Sequence, residues 1–214
     1  MYLSEAYELM GALLFRLQQL ELAAARWCIA TGKADSQVRA TDEEWNLEQF
    51  NEALRRSGSE QSTIFEELEA FLAAWARLSL LFWPAPDKNS PRRQFSLERG
   101  ERLRRLVEID DAHPLNDRSL RNAWMHADER FDHALFEDRL GNRQQFVRAS
   151  QVRAAVERCP RVIDVESLTV HFRKKDGSPG SHELRPLKAA LDALLTRRHE
   201  SARRRLTELP PYTP

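Results

Sequence analysis

Between Ser62 and Pro84 the apolar residues Phe65, Leu68, Phe71, Leu72, Trp75, Leu78 and Phe82 recur at three- and four-residue steps. That spacing puts them on one broad face of a helix. A strand would need alternation, so this run commits the middle of the chain to helix-on-helix packing. Pro84 and Pro86 then stop it. The same period marks the first thirty residues, through Leu3, Tyr7, Met10, Leu14, Leu17, Ala24 and Cys28. Gly32 reads there as a C-terminal cap. Thr41 with Glu44 reads as a capping box opening a second helix with Trp45, Phe50 and Leu54, closed near Gly58. The helix over 62–82 would then be the third. Ser90-Pro91 reads as a cap and first-turn proline for a fourth, carrying Leu103 and Leu106, with Gly100 as its weak point. A turn follows at 110–114.

The fifth helix, roughly Leu115 to Phe136, has the cleanest amphipathicity. At about 100° per residue, Leu120, Trp124, Ala127, Phe131, Ala134 and Leu135 fall on one side and Arg118, Asn122, His126, Glu129 and His133 on the other. A charged stripe opposite an apolar one is ordinarily a solvated face. This stripe is enriched in Arg, Asn and His rather than in the Lys and Glu that usually solvate a helix.

After Pro160 the period changes. Leu168, Val170 and Phe172 alternate with Thr169, His171 and Arg173, and 176–180 reads as a turn before a short return strand. The expected architecture is all-α: one domain over 1–214, with a helical bundle over 1–159, a β-hairpin over 160–185 and a C-terminal helix over 186–206.

The 214 residues carry 33 basic and 33 acidic side chains, which argues against a strong non-specific nucleic-acid binder. A locally basic RNA-cutting site stays compatible. Five of the basic residues are lysine, so the positive charge is almost all arginine, suited to bidentate phosphate contacts. Base composition of the gene explains that bias equally well. The start Met1-Tyr2-Leu3-Ser4-Glu5 has no secretory pattern and no run is long enough to span a bilayer, so a cytoplasmic protein is expected. Cys28 and Cys159 form no metal set.

The segment Arg121-Asn122-Ala123-Trp124-Met125-His126 fits Arg-Asn-x-x-x-His, and the match widens over 99–135. It takes in Arg99-Gly100-Glu101, Leu103-Arg104, His113-Pro114-Leu115, Arg118, and Asp128-Glu129-Arg130-Phe131-Asp132. This resembles the HEPN superfamily, in its bacterial ribonuclease and toxin branch. The resemblance implies a HEPN-like bundle and a metal-independent endoribonuclease, a hydrolase acting as a toxin of a toxin–antitoxin pair or a phage-defence effector. His126 would be general base on the ribose 2′-hydroxyl or acid for the leaving 5′-oxygen. Arg121 would neutralise charge on the phosphoryl oxygens, and Asn122 would orient His126 or the phosphate. Arg118, Glu129, Arg130 and His133 would contact substrate. No cofactor and no metal are implied.

Arg121 and His126 lie about 140° apart on one helix. The resemblance therefore implies a homodimer through the motif helix, with RNA, and an antitoxin or regulatory protein, as further partners. In members paired with a nucleotidyltransferase antitoxin, a tyrosine follows the motif histidine by two. Here that position is Asp128, which puts this mode of silencing in doubt. Two other readings stand beside the enzyme: a non-catalytic HEPN-like module binding nucleotide, RNA or a partner protein, and a helical scaffold with a solvated stripe.

Other chemistry-bearing groups read as structural. Glu108, Asp110, Asp111 and His113 precede Pro114 in a capping turn. His171 and His182 could face each other across the hairpin, short of a third ligand. Arg197, Arg198, Arg203, Arg204 and Arg205 suit either RNA backbone or a helix end. Trp27, Trp45, Trp75 and Trp83 read as core.

Overall fold

A computed structural model describes residues 2–39, 46–86, 88–125, 145–159, 161–174 and 176–207. The chain is mostly helical: α1 (Tyr2–Val38), α2 (Leu47–Phe82), α3 (Arg93–Val107) and α4 (Ser119–Met125) come first. Then come β1 (Gln145–Val147), α5 (Val152–Arg158), β2 (Arg161–Asp164), β3 (Thr169–Arg173), β4 (Pro179–Glu183) and α6 (Arg185–Thr207). They form two compact units: Met1–Leu14, Ala74–Asn116 and Arg185–Pro214 make one, Phe15–Ala73 and Asp117–Leu184 the other.

Two expected helix ends are helix interior. α1 runs through Gly32 to Val38, and α2 runs unbroken through Gly58. A mid-helix glycine costs about 1 kcal/mol. In α2 the buried stripe Ala53, Ser57, Ile64, Leu68, Phe71, Trp75, Leu78 and Phe82 continues across Gly58 and outweighs it. α2 starts at Leu47, where the Asn46 side chain accepts from the Gln49 N–H at 2.9 Å. The Thr41–Glu44 box and Trp45 lie outside the described residues.

The first unit buries Ala6, Leu9, Met10 and Leu13 of α1 together with Trp75, Leu78 and Phe82, Leu103 and Val107, Leu115, and Leu187 and Leu191 of α6. The Trp75 indole N–H donates to the Leu115 carbonyl at 3.0 Å. α3 meets the exit of α2 closely. A Cβ at Gly100 would sit 2.5 Å from Pro84 Cδ and 2.7 Å from the Phe82 carbonyl oxygen. That contact, not flexibility, accounts for Gly100. Arg104 donates to the Phe82 carbonyl and lies 3.6 Å from Asp111, its guanidinium 5.7 Å from the Trp83 ring centroid. Arg99 reaches the Leu80 carbonyl at 3.4 Å. Two arginines thus satisfy carbonyls that the end of α2 would leave orphaned. Ser90-Pro91 leads in through a turn, with the Ser90 hydroxyl accepting from the Arg92 N–H, and α3 itself starts at Arg93.

In the second unit, the expected two-stranded hairpin is part of a four-stranded sheet of order β1-β2-β3-β4. β2, β3 and β4 form an antiparallel meander, while β1 pairs β2 in parallel through the crossover helix α5. β1 lies within the stretch expected to be purely helical. Buried Val147, Ala155, Cys159 and Val162 form the core of the crossover. The β2–β3 turn is held by buried Asp164, which accepts from the Ser167 hydroxyl at 2.6 Å and the Glu166 N–H at 3.0 Å. Phe172 is paired with Gly180, where its ring occupies the space a Cβ would need. Arg148 ties the end of β1 to α1, donating to Thr31 Oγ1 at 2.9 Å and the Cys28 carbonyl at 3.3 Å.

Candidate nucleic-acid interface

α4 starts where Asp117 turns the chain. Its carboxylate accepts from the Ser119 N–H at 2.8 Å, so the helix begins at Ser119 rather than Leu115, which sits in a preceding 3₁₀ turn. The second carboxylate oxygen of Asp117 lies 3.2 Å from Nδ1 of His182 on β4. The imidazole is largely enclosed, with 13% of its side chain exposed. Burial pulls its pKa below the ordinary value, against the opposing pull of Asp117. Near neutral pH the contact is therefore a hydrogen bond from neutral imidazole to carboxylate. Burial raises the Asp117 carboxyl, but hydrogen bonds from Ser119, with the charge and hydrogen bond of His182, bring it below its usual range.

The buried side of α4 holds Leu120 and Trp124, as the helical wheel predicts, and Ala123 beside them. Trp124 packs 5.9 Å from Phe65 between ring centroids, and the Arg161 guanidinium lies 4.6 Å from its ring centroid. α4 also packs on β3 and β4. Apolar contact, a cation–π contact and the Asp117–His182 bond thus fix its rotation and its start.

That rotation groups Arg118, Arg121 and Asn122, with both arginines half-buried and Asn122 exposed. Arg121 Nε donates to Asn122 Oδ1 at 3.2 Å, and the Asn122 N–H donates to the Arg118 carbonyl at 2.9 Å. With its carbonyl oxygen accepting from Arg121, Asn122 keeps its amide N–H groups as donors. Burial lowers the Arg118 pKa, and the like charge of Arg121 lowers it further. Two guanidiniums and a carboxamide within about 100° of helix surface suit an oxyanion that accepts several N–H bonds at once. His126, Glu129, Arg130 and His133 lie outside the described residues.

The remaining sequence candidates have structural assignments. Asp110 accepts from the Ala112 N–H at 3.0 Å, and Asp111 from the Trp83 indole at 2.7 Å. His113 Nδ1 accepts from the Leu115 N–H at 3.3 Å, with its pKa lowered by burial and then by Arg197. Glu108 lies 3.5 Å from Arg197. Among the described residues no three His, Cys, Asp or Glu side chains come together as a metal site.

His171 and His182 do not face each other. His182 is paired with Val170 and His171 with Ser181, so the two imidazoles point to opposite sides of the sheet. Arg198 stacks over Tyr7 at 4.5 Å, so it and Arg197 are engaged within the protein. The side chains of Arg203, Arg204 and Arg205 lie outside the described residues. Trp27, Trp75 and Trp83 are buried. Cys28 is half-buried and its thiol is raised, by burial first.

The Asp117–His182 pair is absent from the sequence reading. An Asp two residues before Ser119 is a readable helix-start signal. Nothing local to His182 announces its partner 65 positions away.

No family model, no curated protein and no solved structure matches the chain. Among the described residues, no helix is long and apolar enough to cross a membrane.

Proposed function

We propose that the protein is a metal-independent endoribonuclease of the HEPN kind, acting as a toxin or phage-defence effector. The observation that carries the reading is the grouping of Arg121 and Asn122 on a packed helix with Arg118 just before its start, Asn122 lying four residues before His126. The guanidiniums would hold the non-bridging oxygens of a phosphodiester. His126 would take the proton of the 2′-hydroxyl as its oxygen bonds to phosphorus and the bond from phosphorus to the 5′-oxygen breaks. A proton delivered to that 5′-oxygen completes the step and leaves a 2′,3′-cyclic phosphate. An imidazole titrating near neutrality serves in either role. A homodimer through the motif helix brings a second copy of these residues to the cleft. DNA, lacking the 2′-hydroxyl, is bound without being cut.

The test is incubation with a mixed RNA pool in EDTA, comparing wild type with His126→Ala and Arg121→Ala. Wild type should leave cyclic phosphate ends. His126→Ala should be slower by about 10²–10⁴-fold, the usual worth of a general acid or base. Equal cleavage by wild type and His126→Ala, or none by a folded wild type, overturns the reading. Binding of RNA without cleavage would point instead to the non-catalytic module.

A further inference from the structure

The groups that would hold phosphate sit at the start of α4. Arg121 and Asn122 belong to its first turn, and Arg118 lies just before Ser119. Leu120 and Trp124 hold the body of the helix by burial. Arg118 is outside the helix, so that packing reaches it only indirectly. The residue beside it, Asp117, is its nearest fixed point.

The two carboxylate oxygens of Asp117 have separate tasks. One accepts from the Ser119 N–H at 2.8 Å and starts the helix. The other lies 3.2 Å from His182 Nδ1. Asp117 is exposed, so a local cap alone would leave that second oxygen to water. His182 is largely enclosed and lies in register with Val170, between the Phe172–Gly180 and Thr169–Glu183 pairs. Just beyond, the Leu184 N–H donates to the Leu168 carbonyl at 3.1 Å. Paired backbone on both sides therefore carries the donor, and a group on such a strand is placed more precisely than one on a loop. Packing alone would be served by any side chain of this bulk. A ring nitrogen held against the carboxylate next to Arg118 serves orientation.

We propose that His182 is a positioning residue for this face, acting through Asp117 on Arg118 and Arg121, and resting on the reading above that these arginines hold a phosphodiester. It touches no reacting atom. Asp117 borders Arg118 and lies nine residues before His126, so the effect falls on phosphate binding more than on proton transfer.

Two readouts test it. One is the Kd of a fluorescein-labelled single-stranded DNA, measured by anisotropy, which needs no cleavage. The other is KM and kcat for RNA cleavage in EDTA. His182→Leu keeps bulk and loses the donor; His182→Asn keeps a donor toward Asp117 and loses bulk. Urea melts establish that each variant is folded under assay conditions. His182→Leu should weaken DNA binding about 10-fold, as a small misplacement of a substrate-holding group does, with the loss in cleavage falling on KM rather than kcat. His182→Asn should bind close to wild type. Binding unchanged in His182→Leu, or weaker in His182→Asn than in His182→Leu, assigns the ring to packing and overturns the proposal. Arg118→Ala should weaken DNA binding at least as much as His182→Leu; DNA binding indifferent to it overturns the phosphate-holding reading and the proposal with it. A folded wild type that binds DNA but cuts no RNA overturns the ribonuclease reading alone, and the order of the Kd values still decides the role of His182. A folded wild type that binds neither nucleic acid overturns both.

Discussion

The same substitution should have opposite signs at two glycines of this protein. Gly58 lies in the interior of α2, exposed, and a Cβ added there meets nothing within 4 Å. Gly58→Ala should therefore recover the helix-propensity difference, a gain of about 1 kcal/mol. At Gly100 the added carbon would sit 2.5 Å from Pro84 Cδ and 2.7 Å from the Phe82 carbonyl oxygen. Carbon contacts are comfortable at about 3.5–4.0 Å, so an overlap near 1 Å must be relieved. Neither neighbour yields easily, one being a proline ring and the other backbone. Overpacking of this kind costs about 1–3 kcal/mol. Moving the Phe82 carbonyl also strains its charged hydrogen bond from Arg104, worth about 1.5–3 kcal/mol. After the propensity gain, Gly100→Ala should destabilise by about 3 kcal/mol. With a urea slope near 2 kcal/mol per molar, its midpoint should fall by about 1.5 M, against a rise of about 0.5 M for Gly58→Ala. Far-UV circular dichroism in urea measures both. A rise for both variants would refute the close crossing of α3 over the exit of α2.

Two further outcomes follow from backbone and burial. Glu108 ends α3 in the left-handed region, at φ 56° and ψ 50°, where glycine is at ease. Glu108→Gly should raise stability by up to about 1 kcal/mol, since its contact with Arg197 is exposed and weak; a lower urea midpoint would count against the cap geometry. His113, His171 and His182 all have pKa values lowered in the fold, by burial first. Each favours the unfolded chain once protonated there. Their contribution is present above the unfolded imidazole value near 6.5 and is lost as pH falls through the folded values. The urea midpoint should drop between pH 7.5 and 5.5, and drop less in His182→Asn, which keeps a donor toward Asp117. A midpoint level across that range would refute the assignment.

The helical faces were legible because packing and periodicity agree. The stripe from Phe65 to Phe82 and the buried Leu120–Trp124 side of α4 are where the three- and four-residue spacing puts them. Gly32 and Gly58 misled, because a lone glycine is a strong local stop that a continuing buried stripe overrides. β2 was hidden for another reason. Its four residues have Val162, Ile163 and Asp164 all buried, so no alternation survives to be read. β1, at three residues, is shorter than any period test can resolve. The Arg118–Arg121–Asn122 grouping follows from helix geometry alone. The bond that fixes where that helix starts joins residues 65 apart, and only the folded sheet brings them together.

That separation has a consequence in time. The described part of α4 has been made once Met125 is added, but its anchor on β4 needs His182, roughly 60 residues later. At about 5–20 residues per second, the ribosome takes on the order of 3–11 s to cover that distance. For that interval a growing chain holds the Arg118–Asn122 face without the strand that orients it. Through Asp117 and His182, the maturation of this face is tied to the arrival of β4, so a truncated product lacking β4 carries the Arg-Asn sequence without its support.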